Sequence, residues 1–202
     1  MRKLAAVIFP GFELLDLYGP LEMLGMLPED FALTLVAEAA GPVASGAGPQ
    51  SLAELAFDDC SGFDLLLVPG GPGTRREIDN PAMTDFLLRA AADAQVVASV
   101  CTGSVLLARS GLLDGRKATS NKRAWAWVTG TSQAVSWQAK ARWVEDGPFW
   151  TSSGVAAGID MTLALIANLL GQEKAERVAA GAEYDWHREP AWDPFADLYG
   201  LR

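Results

Sequence analysis

Histidine is nearly missing from this chain: among 202 residues, His187 alone carries an imidazole. It stands late in the sequence beside Arg188 and reads as an exposed or interface residue. A Cys-His-Asp hydrolase, which needs a base next to its nucleophile, is therefore disfavoured. Cysteine is nearly as scarce. Cys60 and Cys101 are too few for the disulfide framework of a small secreted protein, and a reducing cytoplasm is the expected location. With no His or Cys cluster, neither a metal site nor a metal cofactor is expected. Basic residues are also outnumbered, 16 Lys and Arg against 25 Asp and Glu, for a net charge of -9. Nucleic-acid and anionic-membrane surfaces need clustered cations, so neither partner is expected; the densest basic group is Lys117 to Arg123. No apolar run approaches a membrane span, and the run from Leu4 to Phe9 is too short for a signal-peptide core. Repeats, low-complexity tracts and linker composition are absent too, so residues 1–202 read as a single domain.

What the chain does contain is a buried-strand signal, Val96 to Val100, running into Cys101-Thr102-Gly103-Ser104 and then into a helix signal. The small residues Ser99 and Gly103, two positions either side of Cys101, suit a sharp strand-to-helix elbow. Amides of the helix start should favour a thiolate and lower the thiol pKa. The plainer alternative is a buried free cysteine with no chemical role. Cys60 sits in the acidic turn Asp58-Asp59-Cys60, where like charges disfavour a thiolate, and is read as structural or incidental.

Strand and helix signals alternate along the first half of the chain, which predicts an α/β fold with a mainly parallel sheet. Strands are expected at Leu4 to Phe9, Phe31 to Ala37, Asp64 to Val68 and Gln95 to Val100, with a helix at Ala82 to Asp93. Gly41 to Ser51 reads as a loop-rich connection with short hairpin pairing, and a hairpin is expected around Glu145-Asp146-Gly147. A strong helix opens at Ser152-Ser153-Gly154, another spans Glu173 to about Trp186, and the tail at Trp192 to Phe195 reads as an ordered cap or an interface. Pro20 predicts a helix starting near it, leaving Asp16 in an irregular segment as either a cap or a site residue. The loop Pro69-Gly70-Gly71-Pro72-Gly73 matches no phosphate-binding fingerprint; it is either a tight turn or a source of bare amides for an oxyanion hole. In a parallel sheet, sites gather at the carboxyl ends of strands. Gly11 to Asp16, Gly70 to Gly73 and Cys101 should thus face one crevice.

Carboxylates are the partner types available to Cys101, and Asp16 and Glu22 are the candidates. Six residues apart, they would fall on different faces of a regular helix, so at most one is the partner. An ionised carboxylate would raise the thiol pKa, whereas a protonated one could donate a hydrogen bond to a thiolate and act as an acid. The two groups would then titrate as one coupled unit.

The stretches Phe9-Pro10-Gly11-Phe12-Glu13-Leu14-Leu15-Asp16-Leu17-Tyr18-Gly19-Pro20, Val68-Pro69-Gly70-Gly71, Val100-Cys101-Thr102-Gly103, Gly111-Leu112-Leu113-Asp114-Gly115 and Ser153-Gly154-Val155-Ala156-Ala157-Gly158-Ile159-Asp160 together resemble the DJ-1/PfpI superfamily. Within it the chain looks most like the isonitrile hydratase branch and the related domain of AraC-type regulators. The resemblance implies a flavodoxin-like three-layer sandwich with a nucleophile elbow at Cys101. It also implies Cys101 as nucleophile with Thr102 beside it, Asp16 as the acid/base carboxylate, Gly71 and Thr102 amides as donors near the sulfur, and Gly154 and Val155 bordering the pocket. A small-molecule substrate, a homodimer and no cofactor are implied as well. The activity implied is addition of water to an isonitrile to give an N-substituted formamide. A glyoxalase or deglycase activity, and a non-catalytic redox or electrophile sensor, are the alternatives. Two departures stand out. Where many relatives carry a histidine shortly after an Ala-Thr pair, Ala118-Thr119 is followed here by Ser120-Asn121-Lys122-Arg123. The chain stops at Arg202 where the regulators continue into a helix-turn-helix domain, so a DNA-binding role is not expected.

Overall fold

In the computed structural model, which describes residues 1–201, alternating strands and helices build a seven-stranded sheet between two helical layers. The elements begin with β1 (Arg2–Val7), α1 (Leu14–Gly25), β2 (Phe31–Ala37), β3 (Gly41–Ala44), β4 (Gln50–Ala53), β5 (Leu55–Ala56) and β6 (Leu65–Val68). They continue with α2 (Thr74–Glu77), α3 (Pro81–Asp93), β7 (Val96–Val100), α4 (Gly103–Arg109), β8 (Lys117–Ala118), α5 (Trp125–Thr131) and β9 (Ser136–Trp137). Last come β10 (Trp143–Asp146), β11 (Phe149–Ser152), α6 (Ala157–Leu170), α7 (Gln172–Gly181) and α8 (Pro194–Leu198). The sheet order is β10-β11-β7-β6-β1-β2-β5, parallel except for β10. Helix α1 packs on α6 and α6 on α7 across one face, while α3, α4 and α5 cluster on the other.

The pattern of apolar residues explains the layering. Strands β6 and β7 are buried along their whole length, as expected of central strands covered on both faces, and Leu4, Leu65 and Val96 lie in register across β1, β6 and β7. Helix α6 buries Ile159, Met161, Leu163, Leu165 and Ile166, each worth roughly 1.5–3 kcal/mol relative to exposure. The order in which successive strands are added reverses between β1 and β6, although the two run parallel. The carboxyl ends of β1, β6 and β7 open together at that switch point, where open α/β sheets place their ligands.

Several boundaries differ from expectation. Helix α1 begins at Leu14, not near Pro20, which lies inside it and removes only one hydrogen-bond donor. The close seat of α1 on α6, where Gly19 faces Ile159, supplies packing that outweighs this loss. Asp16 consequently sits in the first turn of a regular helix. Ser152 belongs to β11, and α6 starts only at Ala157, because Val155 takes a left-handed φ of 37° that no helix accommodates. Helix α7 ends at Gly181, well short of Trp186. In the second hairpin Asp146 remains in the strand and the loop is Gly147-Pro148, with Gly147 at φ 61°. The tail forms α8, started by Asp193, whose carboxylate accepts the Phe195 N–H at 3.0 Å. No helix among the described residues is long and apolar enough to cross a membrane.

Candidate active site around Cys101

Strand β7 delivers Cys101 to the switch point and stops there. Its φ of 57° lies in the left-handed region, which a side chain other than glycine enters at a cost of roughly 1–2 kcal/mol. Neighbouring groups hold the turn: the Cys101 N–H donates to the carbonyls of Ser152 and Ser153 at 3.2 and 3.1 Å, and its carbonyl accepts from Ser120 Oγ at 2.8 Å and Ser104 Oγ at 3.2 Å. A Cβ on Gly103 would collide with the Val68 carbonyl, so the residue after Thr102 must be glycine for α4 to start this close to β6.

Asp16 enters from α1 and is fully buried, whereas Glu22 is exposed, so Asp16 is the carboxylate that faces the elbow. Its Oδ2 accepts the Gly70 N–H at 2.9 Å, and Oδ1 is enclosed without a hydrogen-bond partner among the described residues. Burial pushes the Asp16 carboxyl up to about 7, against the Gly70 amide that pulls it down; the charge of Glu13 raises it further and the Cys101 side chain lowers it. The thiol does not behave as the helix-start argument anticipates. Burial, with Cys101 only 6% exposed, and then the Asp16 charge push its pKa up, outweighing donors from the Thr102 amide, Asn121 and the Val155 amide. Helix α4 has only seven residues and cannot offset that desolvation. The pair therefore competes for one proton: an ionised Asp16 keeps Cys101 as a thiol, and a neutral Asp16 permits a thiolate.

The glycine-rich loop reaches the same point. Gly71 stands at φ 120°, and a Cβ there would come within 2.5 Å of Glu13 N and Gly11 O, so the loop after β6 presses directly on the loop after β1. The Gly71 N–H is not free for an oxyanion, however. Thr102 Oγ1 accepts it at 3.1 Å and also meets Thr74 Oγ1 at 3.1 Å. Gly71 thus ties the loop to Thr102, and the amides directed at the sulfur are those of Thr102 and Val155. Gly154 borders Asn121, whose Nδ2 a Cβ at 154 would approach to 2.5 Å.

Asn121 is the contact of the sulfur to which the sequence assigns no role. Its Nδ2 donates to Cys101 Sγ at 3.2 Å, and its Oδ1 accepts the Ala124 N–H at 2.9 Å, which fixes which end of the amide faces the sulfur. The available signal is positional: Asn121 follows the Ala118-Thr119 pair where a histidine is absent. His187 is elsewhere. Its N–H donates to Asp160 Oδ1 at 2.9 Å, its ring lies against Trp192, and Nε2 is buried without a partner among the described residues. Cys60 is half-buried; burial and Asp59 raise its pKa, and its thiol donates to the Ala56 carbonyl. No group of three or more His, Cys, Asp or Glu among the described residues is placed to hold a metal ion.

A second polar cluster lies behind the site. The Arg142 guanidinium grips Asp160 Oδ2 through Nε at 2.7 Å and a terminal nitrogen at 2.6 Å, while Tyr184 donates to Asp160 Oδ1 at 3.1 Å. Asp193 stands 3.9 Å from the same guanidinium. Lys122, adjacent to Asn121, is buried and donates to Thr119 Oγ1 and the Ala141 carbonyl, both at 2.6 Å; burial lowers its pKa to about 8.

Known proteins share both sequence and fold with the chain. It is 37% identical over 182 residues to the isonitrile hydratase of Pseudomonas putida, covering 90% of this chain and 78% of that protein. A ThiJ/PfpI family protein from Pseudomonas syringae superposes with a TM-score of 0.84 at 34% identity, covering 91% of this chain and 75% of the other. Drosophila melanogaster DJ-1beta, at 21% identity, shares the fold with a TM-score of 0.81 over 92% of this chain and 99% of its own. The DJ-1/PfpI family model matches residues 2–168, and the chain belongs to that family.

Proposed function

We propose that this protein is a cysteine-dependent small-molecule enzyme of the isonitrile hydratase type, with Cys101 as nucleophile and Asp16 as general acid and base. The observation that carries this reading is the joint burial of Cys101 and Asp16 at the elbow, where a carboxyl titrating near neutrality stands in place of a histidine base. A raised thiol pKa favours chemistry in which the proton moves as the sulfur attacks, and it speaks against a peroxide sensor, which needs a standing thiolate.

The steps follow from the proton count. Asp16 takes the thiol proton as Sγ bonds to the terminal isonitrile carbon, and returns that proton to the same carbon, leaving an enzyme-bound thioimidate, R–N=CH–S. Water then adds to the carbon, with its oxygen bound there and one of its protons delivered to nitrogen. Collapse of the tetrahedral adduct breaks the C–S bond, releases R–NH–CHO and leaves the last water proton with the Cys101–Asp16 pair. Asn121 Nδ2 and the Thr102 and Val155 amides stabilise the sulfur whenever it carries charge. Thr102 acts through its backbone N–H, while its hydroxyl fixes the Gly71 loop. The scheme uses no cofactor, and a homodimer in the cytoplasm is the working form that goes with it.

The test is formamide production from a simple isonitrile, present in the wild type and absent in Cys101→Ala. No turnover of any isonitrile, with lactate formed from methylglyoxal instead, would replace this activity with a glyoxalase one on the same nucleophile.

A further inference from the structure

A cleft of about 320 Å³ opens beside the elbow. Cys101 is not itself a lining residue, but Asn121 and Val155, which direct Nδ2 and an amide at the sulfur, line the cleft together with Phe195 and Tyr199. Phe195 and Tyr199 are four residues apart, so the α8 turn presents both on one side, and each is about half exposed. Leu198, 70% exposed, is not part of the cleft lining. Two large aromatic faces left uncovered beside a buried nucleophile are the usual anchor for the non-reacting part of a ligand.

This wall is fixed in place. Asp193 is buried, caps α8 through the Phe195 N–H at 3.0 Å, lies 3.9 Å from Arg142, and donates its own N–H to the Lys140 carbonyl at 2.7 Å. Ala196 is buried against the body of the protein, and Leu201 N–H closes back on the Ala196 carbonyl. The charge of the cleft differs from that of the whole chain. Arg123 is exposed and no carboxylate is among the described lining residues, although the net charge is -9.

We infer that α8 is the substrate-selecting wall of the Cys101 cleft, with Phe195 and Tyr199 receiving a flat apolar substituent of the electrophile and the rim rejecting a cationic one. As a statement about substrate class this rests on the isonitrile reading, but the selectivity belongs to the cleft and applies to any electrophile that Cys101 attacks. Contacts to the non-reacting group raise kcat/KM for substrates that carry it.

The test compares benzyl, methyl and 3-aminopropyl isonitriles by kcat/KM, and in parallel follows alkylation of Cys101 by N-benzyl iodoacetamide and by iodoacetamide, in which sulfur displaces iodide, by intact mass. Wild type should prefer the benzyl member of each set at least tenfold and should disfavour the aminopropyl isonitrile relative to methyl. Phe195→Ala and Tyr199→Ala should collapse the benzyl preference, Tyr199→Phe should retain it, and Leu198→Ala should leave rates and preference unchanged. Preference in alkylation without isonitrile turnover would overturn the hydratase reading and uphold this one. Turnover with no benzyl preference would do the reverse. A preference that survives both alanine variants, with their only effect a change in oligomeric mass, would show that α8 is covered by a second copy and would overturn the inference.

Discussion

Cys101 carries its side chain at φ 57°, a conformation that glycine adopts freely and alanine does not. Two inactive variants should therefore differ in stability: Cys101→Gly should exceed Cys101→Ala by roughly 1 kcal/mol in urea unfolding, and equal values would show that the turn stores no strain. Asn121 gives a second expectation at this scale. Its Nδ2 hydrogen bond to Sγ is worth most when the sulfur is charged, so Asn121→Ala should lower kcat roughly 10- to 100-fold, while Tm should fall only by about 2–4 °C through loss of the acceptor for the Ala124 N–H. The elbow cysteine and Asp16 are legible in the sequence because small residues and a strand signal surround the first and an apolar run surrounds the second. Asn121 is not legible. Its role depends on β8 and the segment after it folding over the elbow from twenty residues downstream, and nothing in the local pattern reports that approach.

Among the elements, the four residues between β11 and α6 matter most, because all four line the cleft and Val155 among them directs its amide at Sγ. Val155, at φ 37°, holds its amide toward the sulfur. Val155→Gly should relieve strain and stabilise the fold by up to about 1 kcal/mol while slowing turnover, since a freer loop presents its amide less consistently. A variant that gains stability and keeps full activity would show that the strain has no catalytic role. Buried strands such as β6 and β7 are read correctly from their continuous apolar runs. The helix starts at α1 and α6 are misread for a common reason: Pro20 and Ser152-Ser153-Gly154 carry strong local signals, and tertiary packing of α1 on α6 and the pairing of β11 with β7 override them.

For the molecule as a whole, two buried charge arrangements set stability. Arg142 and Asp160 pin the segment from Tyr184 to Asp193 against α6, and removing one partner strands the other charge in the interior. Asp160→Ala should cost roughly 3–5 kcal/mol. At about 2–4 °C per kcal/mol for a chain of this size, its Tm should fall by roughly 6–20 °C; a loss of less than 2 °C would contradict this view of the cluster. Asp16 acts in the opposite sense. The folded protein holds that proton up to about pH 7 while an unfolded aspartic acid releases it near 3.8, so between those values the folded state binds more protons and stability falls as pH rises. Asp16→Asn should therefore gain on the wild type as pH goes from 4 to 8, by up to about 4 kcal/mol, in urea unfolding at the two pH values. A constant difference would mean that Asp16 titrates normally. The parallel α/β architecture is legible from the alternation of strand and helix signals. The buried ion cluster is not, since Arg142, Asp160 and Asp193 are far apart in sequence and meet only once the tail has folded back.

The central claim is that Cys101 and Asp16 share one proton and react as a unit. The rate of Cys101 alkylation by iodoacetamide, followed against pH in the wild type and in Asp16→Asn, tests it most directly. Wild-type reactivity should rise with an apparent pKa near 7, where Asp16 ionises and can take the thiol proton as the sulfur attacks, and Asp16→Asn should lose that inflection and gain reactivity only at more alkaline pH. Superimposable profiles for the two proteins would contradict it.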